Sequence, residues 1–268
     1  MATPRLYKTE AIVLRQRRLG EADRILTLLT PAHGKMDAKA KGVRKTTSRM
    51  SGHLQPLTRC IVQLAQGHIS DVITGCDTLE SFQKLRDDLQ RLSRALYAAE
   101  LIDRITPERS PGFAAYRLLL ETLRRLERAE GVDPWTGSGC DLVLRYFEMR
   151  LMDHAGFRPE LGSCVGCRSA LQPEQNHFAP QSGGAVCRVC VPGLAGTRPL
   201  TLEGLKVLRL LQRGSYNDIA RLKMPAALAQ EVERHLRSYI VCVLERDVNA
   251  GSFIERLRRE DLQQAIEV

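Results

Sequence analysis

Two short cysteine pairs constrain this chain more than any other feature. Cys164-Val165-Gly166-Cys167 is separated by nineteen residues from Cys187-Arg188-Val189-Cys190. Two C-x-x-C pairs at this distance match a four-thiolate zinc site. Each short loop lets two sulfurs point at one ion, and the intervening segment must fold back to deliver the second pair. That segment holds Pro173, Pro180 and Ser182-Gly183-Gly184, which predicts a looped hairpin and not a helix. A redox C-x-x-C is the competing reading, but redox pairs usually come singly at the start of a helix. His177, between the pairs, is an alternative fourth ligand. Four thiolates fill a tetrahedral ion and leave no position for an activated water, so zinc here is structural.

With 268 residues the chain can bury a real core in one to three domains. Four further cysteines, Cys60, Cys76, Cys140 and Cys242, are scattered in apolar surroundings and read as small core hydrophobes. A disulfide framework does not fit this size and spacing, which points to a reducing cytoplasm. Met1 to Glu10 mixes polar and apolar residues and does not resemble a signal peptide. Ile240 to Leu244 is too short to cross a bilayer, so no membrane partner is expected.

The net charge is +9, and its placement matters more than its size. Residues 1–50 carry twelve Lys or Arg against Glu10, Glu21, Asp23 and Asp37, a net of +8. The rest of the chain is nearly neutral. Such asymmetry predicts a polyanion partner for the N-terminal segment.

In that segment short runs rich in branched residues alternate with turn signals. Strands are predicted at Ala11–Leu14, Arg24–Thr30, Lys35–Ala40, Leu57–Leu64 and Ile69–Thr74, with a basic turn over Arg15–Gly20. Five short strands in under eighty residues suggest a small closed barrel of OB type, although the pattern leaves an SH3-like barrel open. The basic loop Lys39–Arg49 suits phosphate contacts without a fixed base register, since no acid occurs between Asp37 and Asp71. Candidate nucleic-acid contacts are Arg15, Arg17, Arg18, Arg24, Lys35, Lys39, Lys41, Arg44, Lys45 and Arg49. Rings for stacking are scarce nearby: only Tyr7 and His33, and Tyr7 also fits a core position. Backbone tracking is therefore favoured over sequence readout.

From Thr78, a plausible N-cap, the apolar period becomes helical through Phe82, Leu85, Leu89, Leu92 and Leu96 to Thr106-Pro107. A second helix follows Pro111-Gly112 and stops at Gly131 and Pro134, with Arg124, Arg125 and Arg128 on a solvated face. A third runs from near Ser138 to Ala155, closed by Gly156. Beyond the cysteines, Leu202–Leu211 is amphipathic with Thr201 as its cap, Pro225 opens a long helix to about Asp247, and a last helix covers 253–266. The expectation is an α+β multidomain chain. Its parts are an OB-like barrel (1–78), a helical domain (79–157), a zinc module (158–197) and C-terminal helices (198–268) that pack with the helical domain.

Catalytic signatures are missing from the sequence. It contains no P-loop, dinucleotide fingerprint, H-E-x-x-H or G-x-S-x-G, and no H-x-E with P-C-x-x-C for a deaminase. His154 beside Asp153 reads as a helix-end residue and not a general base. The sequence does not look like an enzyme.

Several stretches together resemble one family, the bacterial recombination mediators called RecO. They are Gly20-Glu21-Ala22-Asp23-Arg24, Leu28-Leu29-Thr30-Pro31-Ala32-His33-Gly34-Lys35, Lys41-Gly42-Val43-Arg44 and Leu54-Gln55-Pro56-Leu57. Ala155-Gly156-Phe157-Arg158-Pro159 entering the first cysteine pair is similar as well. Near the end, Ala250-Gly251-Ser252 stands where the family usually has Lys-Ser-Arg. The resemblance implies a DNA repair and recombination protein that binds single- and double-stranded DNA and anneals complementary strands. It further implies action with RecR and the acidic tail of the single-stranded-DNA-binding protein, SSB, to place RecA on gapped DNA, in the cytoplasm and near the nucleoid. The competing readings are a zinc-ribbon adaptor that binds RNA through the barrel, and a hydrolase with an unrecognised site.

Overall fold

The computed structural model describes residues 6–129, 140–173, 176–222, 224–245, 251 and 254. Within it the chain forms two compact units, Met1–Glu127 and Arg128–Val268. The helical segment 79–157 is divided between them. The expected stops at Gly131 and Pro134 and the start near Ser138 lie outside the described residues, as does the helix over 253–266 apart from Ile254.

The first unit is built on five strands: β1 (Leu6–Leu19), β2 (Asp23–Thr30), β3 (Gly34–Ala40), β4 (Arg59–Ala65) and β5 (Asp71–Glu80). They close in the order β1-β2-β3-β5-β4, with β4 returning to β1. Every pairing is antiparallel except β3 with β5. This is the OB-type barrel expected, with the period-2 alternation of β3 and β4 filling its interior. Ala11, Val13, Leu26, Leu28, Val62 and Leu64 are among the buried residues that form its core.

Three local expectations are corrected. The basic run Arg15–Leu19 is not a turn but the second half of β1, and the chain reverses only at Gly20, whose φ is +60°. An irregularity between Val13 and Arg15 lets that long strand bend; there Val13 exchanges backbone hydrogen bonds with Leu57 and Thr58. Thr78 is no helix cap, because β5 continues to Glu80. Nor is the following helix continuous. A short α1 (Gln83–Asp87) gives way to α2 (Leu89–Ile105) at Asp88, which is extended and accepts from the N–H groups of Gln90 and Arg91. As an N-cap, Asp88 satisfies N–H groups of the first turn of α2 that have no partner within the helix.

In the same unit α3 (Phe113–Arg128) follows Pro111-Gly112 as expected. Its Arg124 is not part of a solvated face. It donates two hydrogen bonds to Glu80, at 2.9 and 2.7 Å. Glu80 also receives Arg59, which reaches Glu10, and Tyr116 donates to that same carboxylate. This network ties β1, β4, β5 and α3 into one body. Arg124 holds the Glu80 carboxyl below its ordinary value, and Arg59 does the same for Glu10.

The second unit begins with α4 (Cys140–His154), closed by Gly156 at φ +82°. The strands β6 (Asn176–Ala179), β7 (Gly184–Cys187) and β8 (Arg198–Leu200) form a small sheet with β6 at its centre. The helices α5 (Leu202–Arg213), α6 (Tyr216–Ile219) and α7 (Ala226–Leu244) follow among the described residues. Thr201 caps α5 as expected, and Pro225 stands at the N-cap of α7. The sheet packs on these helices through Phe178, whose ring lies 5.3 Å from His235 and 5.8 Å from Tyr239. No helix among the described residues is long and apolar enough to cross a membrane.

Candidate metal centre and nucleic-acid interface

Cys164 and Cys167 sit on a knuckle whose backbone turns back on itself, with Arg168 N–H donating to Cys164 O and Cys164 N–H to Ser169 O. Cys187 ends β7, and Cys190 closes the short turn that follows. The hairpin delivers the second pair to the first, so all four sulfurs lie within 4.8 Å of one another. Gly166 permits the approach; a Cβ there would lie 3.0 Å from the Cβ of Cys190.

The sulfurs fit a metal ion in spacing and in charge. Four ligands at about 2.3 Å in a tetrahedron stand roughly 3.8 Å apart. Cys167 and Cys187 Sγ are 3.8 Å apart. Burial opposes ionisation of Cys164, yet N–H groups led by that of Cys187 lower its pKa. The Ser169 hydroxyl helps bring Cys167 down to about 6. Cys190 is pushed up to about 12, chiefly by Cys187 and Cys167. Cys164 and Cys167 are thus favoured toward the thiolate and Cys190 is opposed, an opposition that a cation would relieve. The apolar cluster around the sulfurs is small, with Cys164, Ala179 and Val186 as its buried members, so an ion would contribute to holding the knuckle on the hairpin. His177 lies in β6 opposite Val186 and is not a member of the cluster.

Of the other cysteines, Cys60 is in the barrel core, while Cys76 and Cys242 are half-buried. The side chain of Cys140 lies outside the described residues.

The predicted nucleic-acid residues separate into two groups. Some are already engaged with acids of their own unit. Arg15 pairs with Asp103 at 2.6 Å, Arg17 with Asp37 at 3.3 Å and Lys39 with Asp23 at 3.3 Å. Lys35 is nearly buried and bonds to both the backbone carbonyl and the carboxylate of Asp103. Arg24 donates to Gln16 at 2.5 Å. The second group gathers where the β1–β2 turn meets the loop after β3. Arg44 N–H donates to Ala22 O and its guanidinium to Gly20 O, while Gly42 N–H donates to Asp23. This lacing holds the two loops side by side. Arg18, Lys41, Lys45 and Arg49 are exposed and form no ion pair with the described residues.

At the opposite end of the barrel is a cleft of about 420 Å³ that sequence reading did not find. Tyr7, Lys8, His33, Gln66, Asp71 and Arg109 line it. Tyr7 and His33 were visible as nearby rings, but the others are brought together by barrel closure across residues far apart in sequence.

Family comparisons place the chain as a whole. A family model described as "Recombination protein O N terminal" matches residues 1–82. Another, "Recombination protein O C terminal", matches residues 86–250 and so more than half of the chain. The chain belongs to the recombination protein O family. It is 41% identical over 262 residues to a "DNA repair protein RecO" of Dehalococcoides mccartyi, strain BAV1, covering 98% of this chain and 100% of that one. A protein of the same description from Roseiflexus sp. is 38% identical, over 95% of this chain and 87% of the relative. A third, from Pelotomaculum thermopropionicum, is 36% identical over 94% of each. The membership expected from the sequence therefore holds across both units, and with it the assignment to DNA repair and recombination.

Proposed function

We propose that the chain is a non-enzymatic recombination mediator whose N-terminal barrel binds single- and double-stranded DNA and anneals complementary strands. The observation that carries this is the laced pair of basic loops on a closed OB-type barrel, with Arg18, Lys41, Lys45 and Arg49 left uncompensated. Exposed cations without acid partners displace the counterions condensed on phosphates, and that release drives sequence-independent binding. Lys39 and Arg44 stand beside them and reinforce the field. The paired Arg15, Arg17, Arg24 and Lys35 contribute through net charge and positioning.

The ion held by Cys164, Cys167, Cys187 and Cys190 is zinc, and its role is structural. Its ligands would bring the knuckle and the β6–β7 hairpin into one body. Because the sequence has no nucleotide-binding loop, strand remodelling draws on binding free energy and mass action alone. In this reading RecR and SSB supply the specificity that phosphate contacts lack, and RecA is the protein ultimately loaded. The acidic SSB tail docks on a basic, amphipathic helical face of 79–155 or of the C-terminal helices. Exposed Phe113, with Arg117 over its ring at 5.9 Å, is the kind of apolar spot edged by a cation that such a tail needs. The setting is the cytoplasm, in association with the nucleoid.

A strand-annealing assay with labelled complementary oligonucleotides tests the proposal. Annealing without ATP and without cleavage is expected. Cut products would replace it with a hydrolase, and a clear preference for RNA with an RNA adaptor.

A further inference from the structure

The cleft at the β2–β3 end of the barrel is a built site, and its parts are held from several sides. Thr30 orders the β2–β3 turn: its hydroxyl accepts from His33 N–H and donates to Gly34 O. His33 is exposed, and its ring stands 5.0 Å from that of Tyr7 at an angle of 61°. Tyr7 is fixed in turn, donating to the buried carboxylate of Asp71 at 2.5 Å. The other oxygen of Asp71 accepts from Gly67 N–H, so the β4–β5 loop is pinned to the same group. Arg109 reaches the rim from a left-handed backbone conformation, φ +53°, with its N–H donating to Lys35 O. Lys8 and Gln66 complete the rim, both exposed.

We infer that this cleft takes one unstacked base of single-stranded DNA. Two rings at 61° form a corner that gives a flat ligand one face to stack on and one edge to abut. The Gln66 amide offers a donor and an acceptor to a base edge without favouring one base strongly. Lys8 and Arg109 stand where the flanking phosphates would lie. A volume of about 420 Å³ accommodates a nucleotide and little more. The basic loops sit at the other end of β2, eight residues or roughly 26 Å away. A strand entering at the loops would cross β2 and β3 and be anchored in the cleft, a span that suits the roughly 4–16 nucleotides an OB fold covers.

The inference rests on the nucleic-acid reading above and adds to it a station for a base. The test compares fluorescently labelled dT12 with a 12-mer of the same backbone in which every base is absent, both titrated against the full chain at one salt concentration. Stacking of a single base predicts at least about fivefold tighter binding of dT12. His33→Ala should bring that ratio close to one while leaving affinity for the abasic strand nearly unchanged, and His33→Phe should restore it. Equal binding of the two strands by the wild type would overturn the base site and leave the backbone reading intact. An unchanged ratio in His33→Ala would also overturn it. Failure to bind either strand would remove both readings together.

Discussion

At the scale of single residues, the positions that tolerate least are set by backbone geometry. Gly34 has φ +66°, and a Cβ there would lie 1.8 Å from the carbonyl oxygen of Ser110. Gly34→Ala combines a left-handed penalty of about 1–2 kcal/mol with a contact that only backbone movement relieves. A fall in Tm of more than about 4 °C is expected by calorimetry, and an unchanged Tm would show that the 108–110 segment yields freely. The cysteines are sensitive for a different reason. Cys164→Ser or Cys187→Ser should release the metal, with a loss of affinity beyond the roughly 10–100-fold typical of an outer-shell partner. Elemental analysis and melting with and without chelator check this; zinc-free wild type, or melting indifferent to chelation, would remove the structural role.

At the scale of elements, two groups of charges behave oppositely. Lys41 and Lys45 are exposed, and half-buried Lys39 and Arg44 stand beside them, so neutralising all four together should weaken DNA binding about equally for all sequences. The slope of log K against log salt should fall by roughly 3 units, 0.7–0.9 for each lost contact. An unaltered slope would move the DNA site elsewhere. The Glu10–Arg59–Glu80–Arg124 network is inward-looking and structural. Glu80→Gln leaves Arg59 and Arg124 underpaired and should cost about 1–3 kcal/mol. Both carboxylates are depressed below their ordinary 4.5, Glu80 by Arg124 first and Glu10 by Arg59 first. Their contribution is therefore fully present above pH 4.5 and is lost as pH falls below it. Melting followed down through that range should drop more steeply for the wild type than for Glu80→Gln. These elements also show what the sequence could and could not carry. The strand cores, the helix after Pro111-Gly112 and the Thr201 cap are local signals and were legible. The end of β5 was not, because Asp77-Thr78-Leu79-Glu80 stays extended for the sake of Arg59 and Arg124, which lie far off in the chain. The helix α6, capped reciprocally by Ser215 and Asp218, is a single turn and too short to show an apolar period.

At the scale of the whole chain, the division after Glu127 changes how it should be dissected. A cut at residue 78 removes the end of β5 with Glu80, and a cut after 127 keeps the whole network. Residues 1–127 are expected to fold and bind oligonucleotides, while 1–78 should precipitate or lack a cooperative melt. Circular dichroism of the two fragments settles this, and a well-folded 1–78 would mean that the barrel does not depend on α3. The four-thiol cluster was readable from spacing alone because two local motifs specify it. The cleft was not, because Tyr7, His33, Asp71 and Arg109 meet only after the barrel has closed.

That closure has a kinetic side. β3 and β5 are joined by only three registered pairs, Ala38 with Asp71, Lys39 with Val72 and Ala40 with Ile73, whereas every other seam of the barrel has at least seven. The β1–β4 partners are farther apart in the chain, but seven registered pairs repay the ordering of the intervening residues where three do not. The barrel should therefore zip along its antiparallel seams first and latch there last. Native-state hydrogen exchange should find the amides of this latch opening well below the global unfolding free energy. A strand of DNA anchored at both ends of β2 would then bind a cylinder that can still breathe along one side.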